Sequence, residues 1–136
     1  STICAGTSET LTASGATNYT WLPGAASGSV NIVSPLSSTT YTLIGDNGGI
    51  CIDSTSVTVS VNPLPANVTA SVSGVITCAT PSVDLFGAST DTNVSYSWTG
   101  PSSFTSSAQN PSGVTAWGIY TLSVTDNNTG CAVSVT

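Results

Sequence analysis

The chain of 136 residues contains no lysine, arginine or histidine, and its six acidic residues give a net charge of −6 at pH 7. Affinity for phosphate groups comes largely from cationic side chains, so we expect no nucleic acid partner and no attraction to anionic lipid. Because the chain has no His or Lys, catalysis through a Ser–His pair, a Ser–Lys pair or a phosphate-binding lysine is also excluded.

Short alternating runs of Val, Thr, Tyr and Trp predict strands along the whole chain, with no amphipathic helical stretch. In chain order these runs include "ETLTAS", "NYTWL", "SVNIV", "YTLIGD" and "SVTVSV" in the first half, and "VDLFGAS", "VSYSWTG" and "YTLSVTD" in the second. In "SVTVSV", Val57, Val59 and Val61 share one face, as a strand with one wet face requires. No apolar run approaches the roughly 20 residues of a membrane span, so we expect no membrane insertion.

The second half of the chain repeats the first. Cys4 and Cys51 bracket one copy, Cys78 and Cys131 bracket the other, and the strands between them follow the same order. Alternation places each Tyr-x-Trp pair on one strand face, where it would anchor a small core. The predicted core aromatics are Tyr19, Trp21, Tyr41, Tyr96, Trp98 and Tyr120.

Prolines in "VNPLPANV" indicate a linker at residues 63–66, between domains at residues 1–62 and 67–136. Domains this small have thin cores and usually need crosslinks. Four cysteines permit three connectivities, and one pair per repeat favours Cys4–Cys51 and Cys78–Cys131. Disulfides imply an oxidising, extracellular setting. The number and spacing of the strands predict an all-β fold of two tandem Ig-like β-sandwich domains, each with one disulfide.

The stretches "ICAGTSETLTASGATNYTWLPG" and "SPLSSTTYTLIGDNGGICIDSTSVTVSVNPLP" resemble the Ig-like or PKD-like tandem repeats of large secreted bacterial adhesins. Proteins of this kind occur on the surface of Bacteroidetes-type bacteria and are associated with gliding motility and type IX export. The resemblance covers residues 1–65 closely and residues 66–136 more loosely. It implies a stalk or adhesion module on the bacterial cell surface.

Two acidic turns are candidate calcium sites. "DNGG" begins at Asp46 and "DNNTG" begins at Asp126. Carboxylate and carbonyl oxygens bind Ca²⁺, but Asp, Asn and Gly are also the residues that turns select. One acid per loop is too few for a tight calcium site, so we expect turns, no bound metal and no cofactor.

The six carboxylates leave open only a paired-carboxylate mechanism such as glycoside hydrolysis. The acids are scattered singly and no two share an obvious strand face, so we expect no enzyme. Binding of surface glycans is the alternative function, and Trp117 is its candidate contact because it has no counterpart in the first repeat. The competing interpretation is that Trp117 packs at the start of the strand containing Tyr120.

Glycosylation is a further hypothesis. Sequons occur at Asn18, Asn67, Asn93 and Asn127, about the number that this composition gives by chance. The resemblance to bacterial surface repeats adds Ser54, in "DST", as a candidate for O-glycosylation; unmodified strand hydroxyls are the alternative. The sequence thus predicts an extracellular structural and adhesive module, with a carbohydrate-binding module as the alternative.

The two repeats differ at their ends. Only "STI" precedes Cys4, so we expect the first repeat to lack its first strand, and only "AVSVT" follows Cys131, so the last strand of the second repeat should be short. Open sheet edges invite strand addition. We therefore expect copies to associate head to tail into a filament, or adjacent repeats of one polypeptide to supply the missing strands.

Overall fold

Nearly half of the chain forms β-strands, as its many β-branched residues favour. The computed structural model describes residues 1–49 and 51–136, and within this part there is no α-helix and none that could cross a membrane. One 3₁₀ turn covers Pro101–Ser103. The prediction of an all-β protein is confirmed. The strands are β1 Thr2–Cys4, β2 Glu9–Thr12, β3 Asn18–Leu22, β4 Ala26–Ser27, β5 Val30–Val33, β6 Thr39–Asp46, β7 Ile52–Asn62, β8 Thr69–Val72, β9 Leu85–Ala88, β10 Val94–Gly100, β11 Phe104–Ser106, β12 Thr121–Asp126 and β13 Ala132–Val135.

The chain divides into two compact units. Unit 1 is Ser1–Pro63 and unit 2 is Leu64–Thr136, so the division lies at the first residue of the predicted linker. Each unit has its own sheets and its own buried core.

Unit 1 contains a five-stranded sheet in the order β1-β7-β6-β3-β4 and a two-stranded sheet of β2 and β5. All pairs are antiparallel except β1 and β7, which run parallel. Leu11 of β2 packs against Trp21, Tyr41 and Val59 of the larger sheet, and Val59 is completely buried. The two sheets therefore face each other across one apolar layer, as in a small β-sandwich.

Unit 2 contains a four-stranded sheet in the order β11-β10-β12-β13 and a two-stranded sheet of β8 and β9. Its core joins residues of both sheets to a bridge between two flanking segments, Val83 and Val114. The buried residues are Val83, Leu85, Trp98, Val114, Leu122 and Val124. This unit is again built as two sheets around one apolar layer.

The tryptophan at the centre of each core has the same surroundings in both units. Trp21 lies opposite Leu43 in the β3–β6 ladder, and Trp98 lies opposite Leu122 in the β10–β12 ladder. Each indole N–H donates to a backbone carbonyl: Trp21 to Gly28 at 3.0 Å and Trp98 to the carbonyl of residue 109 at 3.1 Å. The buried polar atom of each ring is thereby satisfied. The sequence repeat is therefore also a repeat of core geometry.

The predicted disulfides Cys4–Cys51 and Cys78–Cys131 are wrong. Cys4 and Cys131 are disulfide-bonded, whereas Cys51 and Cys78 are free and exposed. Cys4 pairs with Asn62, the last residue of β7, while Cys51 immediately precedes that strand. The strand has 11 residues. At roughly 3.3 Å per residue it separates the two cysteines by about 35 Å, far beyond the roughly 7 Å between Cα atoms that a disulfide can span.

Strand direction separates the other predicted pair as well. Cys131 immediately precedes β13, so it lies at the first end of that strand. Ile76, two residues before Cys78, lines a cavity together with Thr136, which follows the other end of β13. The two cysteines of the second repeat therefore lie towards opposite ends of the folded unit.

The two units differ at their first and last strands. The residues before Cys4 form β1, which pairs with the end of β7, whereas the strand before Cys78, β8, pairs with β9. Among the residues that the structure describes, β2 is the counterpart of β9 and has β5 as its strand neighbour, with no equivalent of β8. The last strand, β13, has 4 residues, against 11 in β7.

Replacing Leu11 by Ala should destabilise unit 1 by about 3 kcal/mol, because it removes a core side chain and leaves a cavity. The matched control is Leu36→Ala in the same unit, since Leu36 is 79% exposed and Leu11 only 7%. The control should change stability by no more than about 0.5 kcal/mol. Urea denaturation measures both changes, and equal losses would contradict the assigned core.

Alkylation of the denatured, unreduced chain should modify Cys51 and Cys78 and spare the two disulfide-bonded cysteines. Acidic conditions prevent exchange between thiols and disulfides during the reaction. Peptide mapping by mass spectrometry after chymotrypsin cleavage locates the labels, because the chain offers trypsin no Lys or Arg. A chain with no reactive thiol would contradict the assignment of Cys51 and Cys78 as free.

Candidate functional site

The acidic side chains hold loops together. Five of the six carboxylates accept hydrogen bonds from backbone N–H groups, mostly within turns or across loops. The donors are Gly49 for Asp46, Ser54 for Asp53, Gly113 for Asp84, Ala66 for Asp91, and Asn128 and Thr129 for Asp126. With no cationic side chain in the sequence, backbone N–H groups are the strong donors left to these carboxylates. Each of these carboxylates therefore binds its own backbone donor.

The two candidate calcium turns share one side-chain hydrogen bond and differ in their backbone hydrogen bonds. The backbone N–H of Asp126 donates to the carbonyl of Cys131 at 2.9 Å, and the N–H of Asn47 donates to that of Cys51 at 3.1 Å. In each turn the Oδ1 atom of the first Asp accepts an N–H three residues later. These are Asx-type turns, in which the side chain already has a partner. Among the described residues, no three His, Cys, Asp or Glu side chains are grouped as metal ligands.

An apolar cavity of about 530 Å³ lies in unit 2. It is lined by two segments far apart in sequence, within residues 70–76 and 116–120, and by the core residues Leu85 and Trp98. None of the lining residues is Asp, Glu, Asn or Gln. We call this feature the unit 2 cavity. It is the candidate binding site of the described chain.

Trp117 stands at the rim of the unit 2 cavity and is 87% exposed. The interpretation that it packs at the start of the β12 strand is therefore wrong. That place is taken by Tyr120, whose hydroxyl donates to the carbonyl of Ala116 and whose ring meets Phe104 edge to face at 5.3 Å. Gly100 makes room for this ring, since a Cβ there would lie 2.3 Å from Tyr120 Cδ1.

The chemistry of the cavity suits an apolar ligand better than a sugar. Sugar binding uses side-chain acceptors and donors placed beside an exposed aromatic face. Here Trp117 supplies the aromatic face, but the polar side chains of the lining are hydroxyls, those of Ser71 and Thr136. The neighbouring Tyr120 hydroxyl is already bonded to the backbone.

The predicted core aromatics fall into two classes. Trp21, Tyr41 and Trp98 are buried in the two cores. Tyr19, Tyr96 and Tyr120 are half-buried. The Tyr19 hydroxyl accepts the backbone N–H of Ala16 at 2.7 Å. Tyr96 and Tyr120 pack against the core of unit 2, so they are partly buried members of its apolar layer.

All the candidate glycosylation residues are exposed. Ser54 lies on β7, next to the Asp53 carboxylate that accepts its backbone N–H. The side-chain amides of the other candidates are partly engaged: Asn67 donates to Thr90, Asn93 donates to Asn128 and Asn127 donates to Asn93, while Asn18 is exposed on β3. Their exposure permits modification and does not select among them.

Sequence reasoning missed the apolar rim that accompanies Trp117. Val75 and Ile119 are among the most exposed large hydrophobic residues of the chain and both line the cavity. The signal in the sequence was apolar residues in "SGVIT" and "AWGIY" outside any strand with clear alternation. Nothing in the local pattern showed that these two segments meet.

Comparisons with known proteins add little to this geometry. No protein-family model and no curated protein sequence matches the chain. Among solved structures, the chain is similar to an amphioxus IgVJ-C2 molecule, with 12% identity over 99% of this chain and 98% of that one. The TM-score of that match is 0.34, which is too low to assign a fold or a function.

Replacing Asp126 by Ala should destabilise unit 2 by about 1 kcal/mol, because the N–H groups of Asn128 and Thr129 lose their acceptor. Asp126→Asn keeps an acceptor oxygen at the same place and should lose less than half as much. Urea denaturation with and without millimolar Ca²⁺ measures both variants. Stabilisation by Ca²⁺ that disappears in Asp126→Ala would show a metal site instead of a turn.

Proposed function

We propose that the chain is a structural and adhesive extracellular module, formed by two Ig-like domains in series within a bacterial surface repeat protein. The observation that carries the proposal is the use of the charged side chains: four of the six carboxylates accept backbone N–H groups within turns or across loops. Because its charged side chains stabilise its own loops, the chain is suited to act as a spacer and a contact surface. The proposal gives it no catalytic role.

The repeated core supports the spacer role. Each unit has its own sheets and a tryptophan with the same surroundings. Repeat proteins place such units in series, so that length grows with the number of copies. The resemblance of the sequence to tandem repeats of bacterial surface proteins agrees with this use.

An extracellular location is supported by the oxidised state of Cys4 and Cys131, because disulfides persist in oxidising compartments. The sequence adds a second argument. Proteases that cleave after Lys or Arg find no site in it. Such resistance is useful for a protein exposed to secreted proteases.

The partners we propose are adjacent repeats of the same polypeptide or other copies of the chain, with head-to-tail association into a filament as one arrangement. Several large hydrophobic side chains are exposed, and exposed apolar patches mark interaction surfaces. Binding of surface glycans is the second candidate, and the exposed ring of Trp117 is the observation that favours it.

Microspheres coated with the chain should cluster, because many copies on one surface convert weak contacts into strong attachment. The clustering should persist in the presence of free oligosaccharides. Microspheres coated with an unrelated acidic protein are the control. Failure of the chain-coated microspheres to cluster would contradict the contact role.

An oligosaccharide array decides between the two candidates in the same preparation. Saturable binding that Trp117→Ala weakens by about tenfold or more, and Phe86→Ala leaves unchanged, would establish the carbohydrate-binding function instead. Phe86 is a matched control because it is an exposed aromatic residue of unit 2 that does not line the cavity.

A further inference from the structure

The four cysteines occupy two positions of the sequence repeat. Cys4 and Cys78 hold the first position, and Cys51 and Cys131 hold the second. The structure supports the match at the second position. Cys51 and Cys131 immediately precede β7 and β13, and the carbonyl of each accepts a backbone N–H from the acidic turn before it. Each cysteine therefore has a counterpart in the other unit.

At each of these positions one cysteine is bonded and the other is free. The bonded cysteines are Cys4, at the first position, and Cys131, at the second. The free cysteines, Cys51 and Cys78, are both exposed. Because the sequence has four cysteines and these two are free, the existing disulfide combines a first position with a second position. The two free thiols offer the same combination.

Cys78 lies in a tight turn that two threonines close. The N–H of Thr77 donates to the carbonyl of Thr80 at 2.9 Å, and the N–H of Thr80 donates to Oγ1 of Thr77 at 3.0 Å. The Thr80 hydroxyl also donates to the carbonyl of Val75 at 3.1 Å, and Val75 is 78% exposed. One hydrogen-bonded segment therefore carries an exposed thiol and an exposed apolar side chain.

Cys51 lies between two carboxylates. Asp46 begins the preceding turn, and Asp53 is the second residue of β7. A disulfide between two copies of Cys51 would bring two such acidic segments together. The sequence has no cationic side chain to offset the repulsion between them. This charge distribution disfavours pairing of Cys51 with itself.

Cys78 is the better partner for Cys51. The acidic residue nearest to Cys78 along the chain is Asp84, whose carboxylate already accepts the N–H of Gly113. Contact between the two thiols therefore brings one acidic turn against a turn that contains no acid. It also covers apolar surface, because Ile52, the residue after Cys51, is 67% exposed.

We propose that Cys51 of one copy of the chain and Cys78 of a second copy form an intermolecular disulfide. Cysteines left unpaired in secreted proteins are candidates for pairing between molecules. The joined pair of chains retains one free Cys51 and one free Cys78, so further copies add and an open series grows. The inference rests on the proposed function, whose head-to-tail contact between copies it makes covalent.

A small-molecule disulfide in the surrounding medium is the oxidant. The thiolate of Cys78 attacks one sulfur of this disulfide, which forms a mixed disulfide and releases one small thiol. The thiolate of Cys51 from the second copy then attacks the Cys78 sulfur and releases the other small thiol. The two cysteines together lose two electrons and two protons, and the oxidant takes up both as it becomes two thiols.

Two single variants test the pairing. Cys51→Ser leaves only the Cys78 thiol free, and Cys78→Ser leaves only the Cys51 thiol free. Each variant is incubated alone and in an equimolar mixture with hydroxyethyl disulfide, an uncharged oxidant, and the alkylated products are separated on a non-reducing gel. The mixture should form a covalent dimer at least about tenfold faster than either variant alone. The unsubstituted chain should form a ladder of oligomers that reduction returns to monomer.

A relocated thiol controls for random collision between exposed cysteines. Combining Cys51→Ser with Ser37→Cys keeps two free thiols in the chain and places one of them in a different exposed loop of unit 1. Without the matching contact, this double variant should form oligomers at least about tenfold more slowly than the unsubstituted chain. Mass spectrometry of chymotryptic peptides from the unsubstituted ladder should show the Cys51 peptide joined to the Cys78 peptide.

Three results would overturn the proposal. They are dimerisation of either single variant alone as fast as the mixture, equally fast oligomers from the relocated thiol, and loss of both thiols in a chain that stays monomeric. If microspheres cluster but no covalent dimer forms, the disulfide fails while the adhesive role stands. Covalent dimers of the mixed variants without clustering of microspheres would support the disulfide and contradict the adhesive role.

Discussion

The absence of cationic side chains is the constraint on which the rest of the structure depends. A carboxylate without a cationic partner is best stabilised by solvent or by charge-assisted hydrogen bonds from backbone N–H groups. Asp84 and Asp91 illustrate the second solution, since they bind N–H groups 29 and 25 residues away and fasten long loops. The charges therefore stabilise local geometry, and the cohesion of each unit comes from its ladders and its apolar layer.

These apolar layers are thin, so each one relies on a single large residue. Trp21 and Trp98 are almost completely buried, and both satisfy their N–H group at a backbone carbonyl. Small sandwiches bury a lower fraction of their surface than larger domains. The loss of one such residue would therefore remove a large share of the core.

Periodicity in the sequence was enough to predict the strands and the central residues, because both are local properties. Trp21, Tyr41 and Trp98 could be selected from alternation and repetition alone. The disulfides could not, because pairing cysteines by equal spacing ignores the direction of the strand between them. The length of β7 carries Cys51 away from Cys4, and the sequence does not state that this strand runs unbroken. The exposure of Trp117 likewise depends on two distant segments meeting.

The same core arrangement has different surroundings in the two units. In unit 1 the β6–β7 ladder closes the sheet over the core, and Val59 is sealed from solvent. In unit 2 the same aromatic floor remains, but the wall above it is a cavity with an apolar rim. The lining of this cavity carries no carboxylate. Each acid of unit 2 instead accepts a backbone N–H group in a turn or across a loop. The same composition therefore shapes both the loops and the apolar character of this surface.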